Sequence, residues 1–186
     1  MKAKIQDWES KINEATGLFK SKFGGLTANE LNWKPNAETW SIAQNIHHLM
    51  TTNEEYYKVI DSVRNGDINL PFTARFGFFT NFVGNMLYNA LEPSRRIKVK
   101  TFSVFEPTKG SDLDDDIIKK FIQHQTNFIT FIKSCEDLLI KNQVICSPVN
   151  RQIVYTLEKA FDIITIHEFR HYNQASELME MRNFGN

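Results

Sequence analysis

Cysteine is scarce in this sequence, and its scarcity excludes a fold that depends on disulfide bonds. Only Cys135 and Cys146 occur among 186 residues, which is too few for a disulfide framework. We expect both to be packed thiols without a catalytic role. A reducing cytoplasm is the simplest setting for such a chain, so the predicted localisation is cytoplasmic.

Net charge and long apolar runs are also missing. The 22 basic residues balance the 22 acidic residues, so no overall field favours nucleic acid or an anionic membrane. The first residues include charged side chains and no uninterrupted apolar core, which argues against a signal peptide. The phenylalanine-rich stretch 72–91 is interrupted by Arg75 and by asparagines, so we expect no membrane span. The expected partner is a small-molecule substrate, with no nucleic acid and no membrane.

What the sequence does contain is four long stretches with apolar residues at helical spacing. A single domain over residues 1–186 suits this length. No convincing alternating strand pattern lies between the stretches. The prediction is therefore an all-α fold, a four-helix bundle with a long crossover connection between helices 2 and 3. The four predicted helices cover about residues 2–23, 40–64, 111–139 and 153–181.

The segments between these helices have weaker patterns. Residues 26–39 are predicted to be a loop, and 79–90 a short helix. Residues 95–107 are predicted to be extended and to wrap across one end of the bundle. The run 111–114, a serine followed by acidic residues, is typical of a helix start. Residues 147–150 break the pattern before the last helix.

Two histidines four residues apart stand inside the fourth predicted helix. His167 and His171 lie one turn apart on one face, and neutral imidazole is the commonest metal ligand in proteins. A third ligand is needed, and His47 and His48 on the second helix are the obvious donors. Periodicity places His48 beside the apolar stripe and so favours it modestly. His124, on the stripe of the third helix, is a fourth ligand, a residue supporting the ligands, or a hydrogen-bonded core histidine.

The same histidines stand in two motifs that resemble those of a known family. Trp-Ser is followed eight residues after the Trp by His-Leu, and a His-x-x-x-His-x-x-Gln run comes near the end of the chain. In this sequence the motifs are Trp40-Ser41 with His48-Leu49, and His167 to Gln174. Over its whole length the chain resembles the DinB-like (YfiT-like) family of metal-dependent enzymes. That family often has Glu where this chain has Gln44, so a charged neighbour of His48 is replaced by a neutral amide.

The resemblance implies a four-helix bundle with a three-histidine metal site. By position, the implied ligands are His48, His167 and His171. Relatives typically bind zinc, nickel or a similar divalent ion, and those with known activity include transferases and isomerases that use low-molecular-weight thiols. A homodimer is expected from the habit of the family and from the surplus of phenylalanine, which occurs 15 times.

Such a site suits catalysis, because three neutral imidazoles leave at least one coordination position of the ion open. A divalent ion held in this way lowers the pKa of bound water to about 7, or binds a thiol as its thiolate. Together with the activities of the relatives, this chemistry gives the predicted function: a thiol-dependent S-transferase or a hydrolase that acts on a small molecule. Its cofactor would be a divalent ion, and its co-substrate a low-molecular-weight thiol. No catalytic residue is assigned. Candidates to support the ligands are Gln44, His124, Glu168 and Gln174.

Two other functions are consistent with parts of the pattern. The run His167-Glu168-x-x-His171 matches the zinc-peptidase motif, with Glu168 as general base. Only fifteen residues follow His171, however, and the motif around His48 is then left unexplained. The other alternative is a non-catalytic bundle that binds metal or a small apolar ligand.

Overall fold

The computed structural model describes residues 1–93 and 116–185, and this part of the chain is mostly helical. The predicted all-α bundle is thereby confirmed. Among the described residues, no helix is long and apolar enough to cross a membrane. The helices are α1 (Lys2–Phe23), α2 (Ala28–Asn32), α3 (Ile42–Arg64), α4 (Gly77–Leu91), α5 (Ile117–Ser134), α6 (Glu136–Ile140) and α7 (Leu157–Met179), with a 3₁₀ turn at Phe72–Arg75 and the strands β1 (Val144–Ser147) and β2 (Asn150–Thr156).

Four long helices, α1, α3, α5 and α7, form the bundle. Both α1 and α3 pack against α5 and α7. Arg64, the last residue of α3, donates to the carbonyl of Ser134, the last residue of α5, at 2.7 Å, so these two helices run parallel. Parallel neighbours cannot be joined by a short hairpin, because the chain must return to the starting end. The connection from α3 to α5 is therefore the predicted crossover, and it includes α4, which packs on α7 and β2.

Three boundaries differ from the sequence prediction. The loop predicted at 26–39 contains α2, whose start is fixed by a capping box between Thr27 and Glu30. The expectation of no strand is wrong at 144–156, where β1 and β2 form an antiparallel hairpin. The last helix consequently begins at Leu157 rather than near residue 153, because the preceding residues are held in β2.

Two further details concern the connections. The third predicted helix is interrupted at Cys135, so that α5 ends and the short α6 follows. The predicted short helix at 79–90 is present as α4. The expectations for residues 95–107 and 111–114 lie outside the described residues.

The apolar interior of the bundle is divided into two clusters. The hairpin-side core contains Trp8, Phe128 and Phe161 and extends to the buried residues of the hairpin. The far core contains Phe19 and Phe121 and lies at the opposite end. Burial of these aromatic side chains supplies much of the driving force for folding.

Buried polar residues occupy the helix turns between the two cores. Asn53 on α3, Gln125 on α5, and Glu168 and His171 on α7 are all buried, as is His48. Along their helices, Asn53, Gln125, Glu168 and His171 each lie between residues of the far core and residues of the hairpin-side core, and His48 lies at the edge of the far core. We call these five residues the polar layer. A buried polar group is costly without a partner, so this layer is where function is expected.

Candidate metal centre

Three histidines from two helices converge at the polar layer. His48 on α3 and His167 and His171 on α7 each offer a ring nitrogen, and these nitrogens all lie within 4.8 Å of one another. Nε2 of His167 lies 2.9 Å from Nε2 of His171 and 3.4 Å from Nε2 of His48. Residues four apart on α7 share a face, and α3 presents His48 to that face because the two helices pack together.

Asn45, one turn before His48, fixes the orientation of one of these rings. Its Nδ2 donates to the carbonyl of Ser41 at 2.8 Å, which leaves Oδ1 facing Nδ1 of His171 at 2.8 Å. An amide oxygen accepts only, so Nδ1 of His171 carries the proton and donates it. The neutral ring then has its lone pair on Nε2, the atom that faces the other two histidines. A ligand histidine is commonly oriented in this way by a hydrogen bond to its second nitrogen.

Trp40 and Ser41 explain the first sequence motif. Ser41 caps α3, since its hydroxyl accepts from the backbone N–H of Gln44. Trp40, immediately before the cap, stacks on His171 with ring centroids 5.9 Å apart and lies 4.8 Å from the ring of His48. The half-buried indole therefore covers two of the three histidines and limits their contact with water.

The electrostatics of the cluster keep the imidazoles of His167 and His171 neutral. Burial, followed by the charges of His48 and Arg170, holds the pKa of His167 well below its ordinary value. Burial, followed by His167, His48 and Arg170, has the same effect on the pKa of His171. Neutral imidazole is the form that binds metal, so both rings are in their ligating state at neutral pH.

The spacing of the nitrogens fits one divalent ion. Two nitrogens bound to a tetrahedral zinc-like ion at about 2.0–2.1 Å lie about 3.3 Å apart. The observed 3.4 Å and 2.9 Å separations are close to that value. Three converging lone pairs repel unless a proton or a cation lies among them. His48, His167 and His171 are thus able to hold a divalent metal ion.

Comparison with known proteins assigns the family. Residues 12–175 match the DinB superfamily, a match that includes all three histidines and most of the bundle. The chain belongs to the DinB superfamily. The family resemblance seen in the sequence motifs is thereby confirmed. No curated protein and no solved structure showed significant similarity to this DinB superfamily chain.

Glu168 follows the first histidine of the second DinB motif and faces the bundle interior. Burial raises its pKa to about 8, and the amides of Gln125 and Asn53 partly offset that rise. Neither carboxylate oxygen has a well-formed hydrogen bond among the described residues. The carboxylate is also not part of the group formed by the three histidine nitrogens. Glu168 is therefore directed toward Asn53 and Gln125 in the polar layer.

The other candidates from the sequence are placed around the DinB site as follows. His47 lies outside the cluster, with Nδ1 3.5 Å from the hydroxyl of Thr51. Gln44 closes the capping box of α3, its Oε1 accepting from the N–H of Ser41 at 3.1 Å. His124 lies outside the cluster, beside the rings of Tyr57 and Phe128, with centroid distances of 6.3 Å and 6.4 Å.

Gln174 completes the second motif but is exposed on α7. Sequence reasoning missed Asn45, Asn53 and Gln125. All three were detectable as amides at positions where the helical pattern expects an apolar side chain.

Proposed function

We propose that this DinB superfamily protein binds one divalent ion, zinc or nickel, through Nε2 of His48, His167 and His171. We further propose that it uses the site for thiol-dependent transfer or hydrolysis of a small molecule. The observation that carries the proposal is the convergence of three ring nitrogens within 4.8 Å of one another. When bound, an ion at such a site acts as a Lewis acid and lowers the pKa of a bound thiol or water.

Individual residues of the chain have distinct roles in this function. His48, His167 and His171 hold the ion, and Asn45 keeps the proton of His171 on Nδ1 so that Nε2 stays available. Trp40 covers the rings of His48 and His171 and reduces access of water from that side.

In the transfer reaction, the thiol sulfur attacks an electrophilic carbon. A C–S bond forms while a carbon–halogen or epoxide C–O bond breaks, and the leaving atom takes the bonding electron pair. The thiol proton passes to solvent, or to the alkoxide when an epoxide opens. In hydrolysis, water is the nucleophile in place of the thiol. A C–O bond forms, the bond to the leaving atom breaks, and the proton of water passes to solvent or to the leaving group.

Metal analysis tests the first half of the proposal. Purified wild-type protein should contain about one zinc or nickel ion per chain, and His171→Ala should lower affinity by more than about 100-fold, because loss of a ligand exceeds loss of a supporting group. His47→Ala is the matched control, since His47 neighbours His48 but lies outside the cluster. Equal metal content in wild type and His171→Ala would contradict the site.

A thiol-consumption assay tests the second half. Metal-loaded protein is incubated with glutathione and a halogenated or epoxide substrate, and the remaining free thiol is measured. Turnover that disappears in His171→Ala but persists in His47→Ala supports the transferase. If the protein binds metal but turns over no compound in panels of thiol-dependent and ester substrates, it is instead a bundle that only binds metal. Cleavage of a peptide that is abolished by Glu168→Gln would indicate a peptidase, although Glu168 is directed toward Gln125 and Asn53.

A further inference from the structure

Three buried polar side chains in the interior of the bundle lack the hydrogen bonds that buried groups normally form. Asn53 on α3 and Gln125 on α5 are each 1% exposed, and Glu168 on α7 is 0% exposed. Five of their polar atoms have no hydrogen-bond partner among the described residues: Nδ2 of Asn53, both amide atoms of Gln125 and both carboxylate oxygens of Glu168. We call these three residues the central trio. Such a cluster is unusual, because nearly all buried polar atoms in folded proteins are paired.

The side chains of the central trio face one another. The amides of Asn53 and Gln125 are both close enough to Glu168 to lower the pKa of its carboxyl. Helices α5 and α7 lie diagonally across the bundle, because α1 and α3 each pack against both of them. Gln125 and Glu168 therefore extend toward each other from opposite corners of the bundle, and Asn53 approaches from α3, the helix between them. The unpartnered atoms consequently surround one place in the bundle interior.

No cationic side chain of the described residues satisfies the carboxylate of Glu168. Only burial and the two amides act on its pKa, and Arg170, which lowers the pKa of His167, is not among the causes. A buried carboxylate needs hydrogen-bond donors. The two amides do not supply them directly, since neither carboxylate oxygen has a well-formed hydrogen bond. The donors must therefore come from a group small enough to lie among the three side chains.

Water suits the chemistry of the central trio better than a cation does. The unpartnered atoms include acceptors, which are the oxygens of Glu168 and Gln125, and donors, which are the N–H groups of Asn53 and Gln125. A water molecule donates twice and accepts twice, so it pairs with both kinds of atom. A hard metal cation takes oxygen ligands only and would leave the amide N–H groups without partners.

We propose that the central trio binds one internal water molecule in the bundle interior. The water donates to a carboxylate oxygen of Glu168 and to Oε1 of Gln125, and it accepts from Nδ2 of Asn53, which matches the roughly three hydrogen bonds of a typical buried water. Glu168 thus holds the water that joins α3, α5 and α7, and it is not the general base that the zinc-peptidase pattern assigns to this position. This inference does not rest on the proposed metal, since none of the three residues belongs to the histidine cluster.

Oxygen-17 relaxation dispersion of the full chain tests the site, because this method counts the long-lived water molecules inside a protein. The protein is treated with chelator, so that water bound to a metal ion does not contribute. Proteins hold on the order of one internal water per 27 residues, so the readout is the difference between variants. Glu168→Met keeps the side chain's length but removes both acceptors, and it should lower the count by about one water per chain. Glu177→Met, on the exposed side of α7, is the matched control and should leave the count unchanged.

Further variants keep the test decisive if circular dichroism shows that Glu168→Met does not fold. Gln125→Met removes the water from the side of α5, with the exposed Gln123→Met as its control, whereas Glu168→Gln retains an acceptor and should keep the water. A water count that neither Glu168→Met nor Gln125→Met lowers overturns the proposal. So does a melting temperature that sodium or magnesium chloride raises, relative to choline chloride, in the wild type but not in Glu168→Gln, since that result would place a cation among the oxygens.

Discussion

Asn45 is the residue on which the orientation of the site depends most. Its amide donates to the carbonyl of Ser41 and accepts from Nδ1–H of His171. These two hydrogen bonds fix the orientation of the amide and the tautomer of the imidazole. The consequence is a single tautomer of His171 with its Nε2 lone pair directed at His167. A buried amide with both ends used in this way is a rigid support.

Asn45→Ala should therefore lower zinc or nickel affinity by about 10–100-fold, the usual effect of removing a group that orients a ligand. Asn45→Asp keeps an acceptor for Nδ1–H and should retain most of the affinity. Competition with a chromophoric chelator measures both constants. Asn173→Ala, an exposed asparagine on α7, is the control. Equal affinities for Asn45→Ala and wild type would remove Asn45 from the site.

His124 gives the fold a pH dependence of its own. Burial lowers its pKa from 6.5 to about 4, and its ring lies near those of Tyr57 and Phe128. The unfolded chain binds the proton at a higher pH than the folded chain does. Stability contributed by the neutral ring is thus present above about pH 6.5 and is lost as the pH falls toward 4.

His124→Gln should weaken this pH dependence. Between pH 7 and pH 5 the wild type should lose about 1 kcal/mol more of its free energy of unfolding than the variant, a value already reduced for partial exposure of the ring. Urea titrations at the two pH values measure the difference. Gln123→Ala, on the exposed side of the same helix, should behave as wild type. Identical pH profiles for His124→Gln and wild type would contradict the assignment.

At the scale of elements, the start of α3 links folding to the site. The capping box of Ser41 and Gln44 sets where the helix begins, and that start places Asn45 and His48 one turn apart on its buried face. The side chain of Gln44 is engaged in this cap.

Ser41→Ala should destabilise the protein by about 1 kcal/mol, because the N–H of Gln44 loses its acceptor. For a chain of this length that corresponds to a fall of about 2–4 °C in melting temperature. Differential scanning calorimetry measures it. Thr126→Ala, which removes an exposed hydroxyl from the middle of α5, should change the melting temperature by less than half as much. No difference between the two variants would show that the cap contributes nothing.

The long helices were predictable from sequence, and the short elements were not. In α1, α3 and α7 the apolar stripe repeats over five or more turns, so periodicity alone located them. Helix α2 and strand β1 have five and four residues, too few to show a period. The hairpin was hidden further because its apolar residues merge with the stripe of α7 that follows.

The ligand histidines were predictable from sequence, but the residue that orients them was not. Helical periodicity favoured His48 over His47, and His48 is the one that joins His167 and His171 in the structure. The partner of His171 was not predicted, since spacing along a chain does not show which side chain on α3 faces a given ring on α7. That contact depends on how the two helices cross.

For the molecule as a whole, the core is divided into two apolar clusters, and the polar layer lies between them. This layer is the part of the bundle whose buried polar groups are least well hydrogen-bonded. Several buried polar atoms there, including both carboxylate oxygens of Glu168, have no well-formed hydrogen bond among the described residues. The three histidines join α3 to α7 across this layer. A bound ion would therefore stabilise the packing of α3 on α7, in addition to the Asn45–His171 hydrogen bond and to the apolar contacts on either side of the layer.

Metal binding should consequently raise the stability of the whole fold. Zinc at about 100 times its dissociation constant adds about 2.7 kcal/mol to the free energy of unfolding, or about 5–10 °C in melting temperature for a chain of this length. Thermal unfolding of chelator-treated protein, with and without added zinc, measures the shift. In His171→Ala, zinc should raise the melting temperature by no more than a small part of the wild-type shift. In His47→Ala, zinc should produce the full wild-type shift. If zinc shifted wild type and His171→Ala equally, the ion would be binding elsewhere, and the link between the three histidines and the stability of the bundle would be lost.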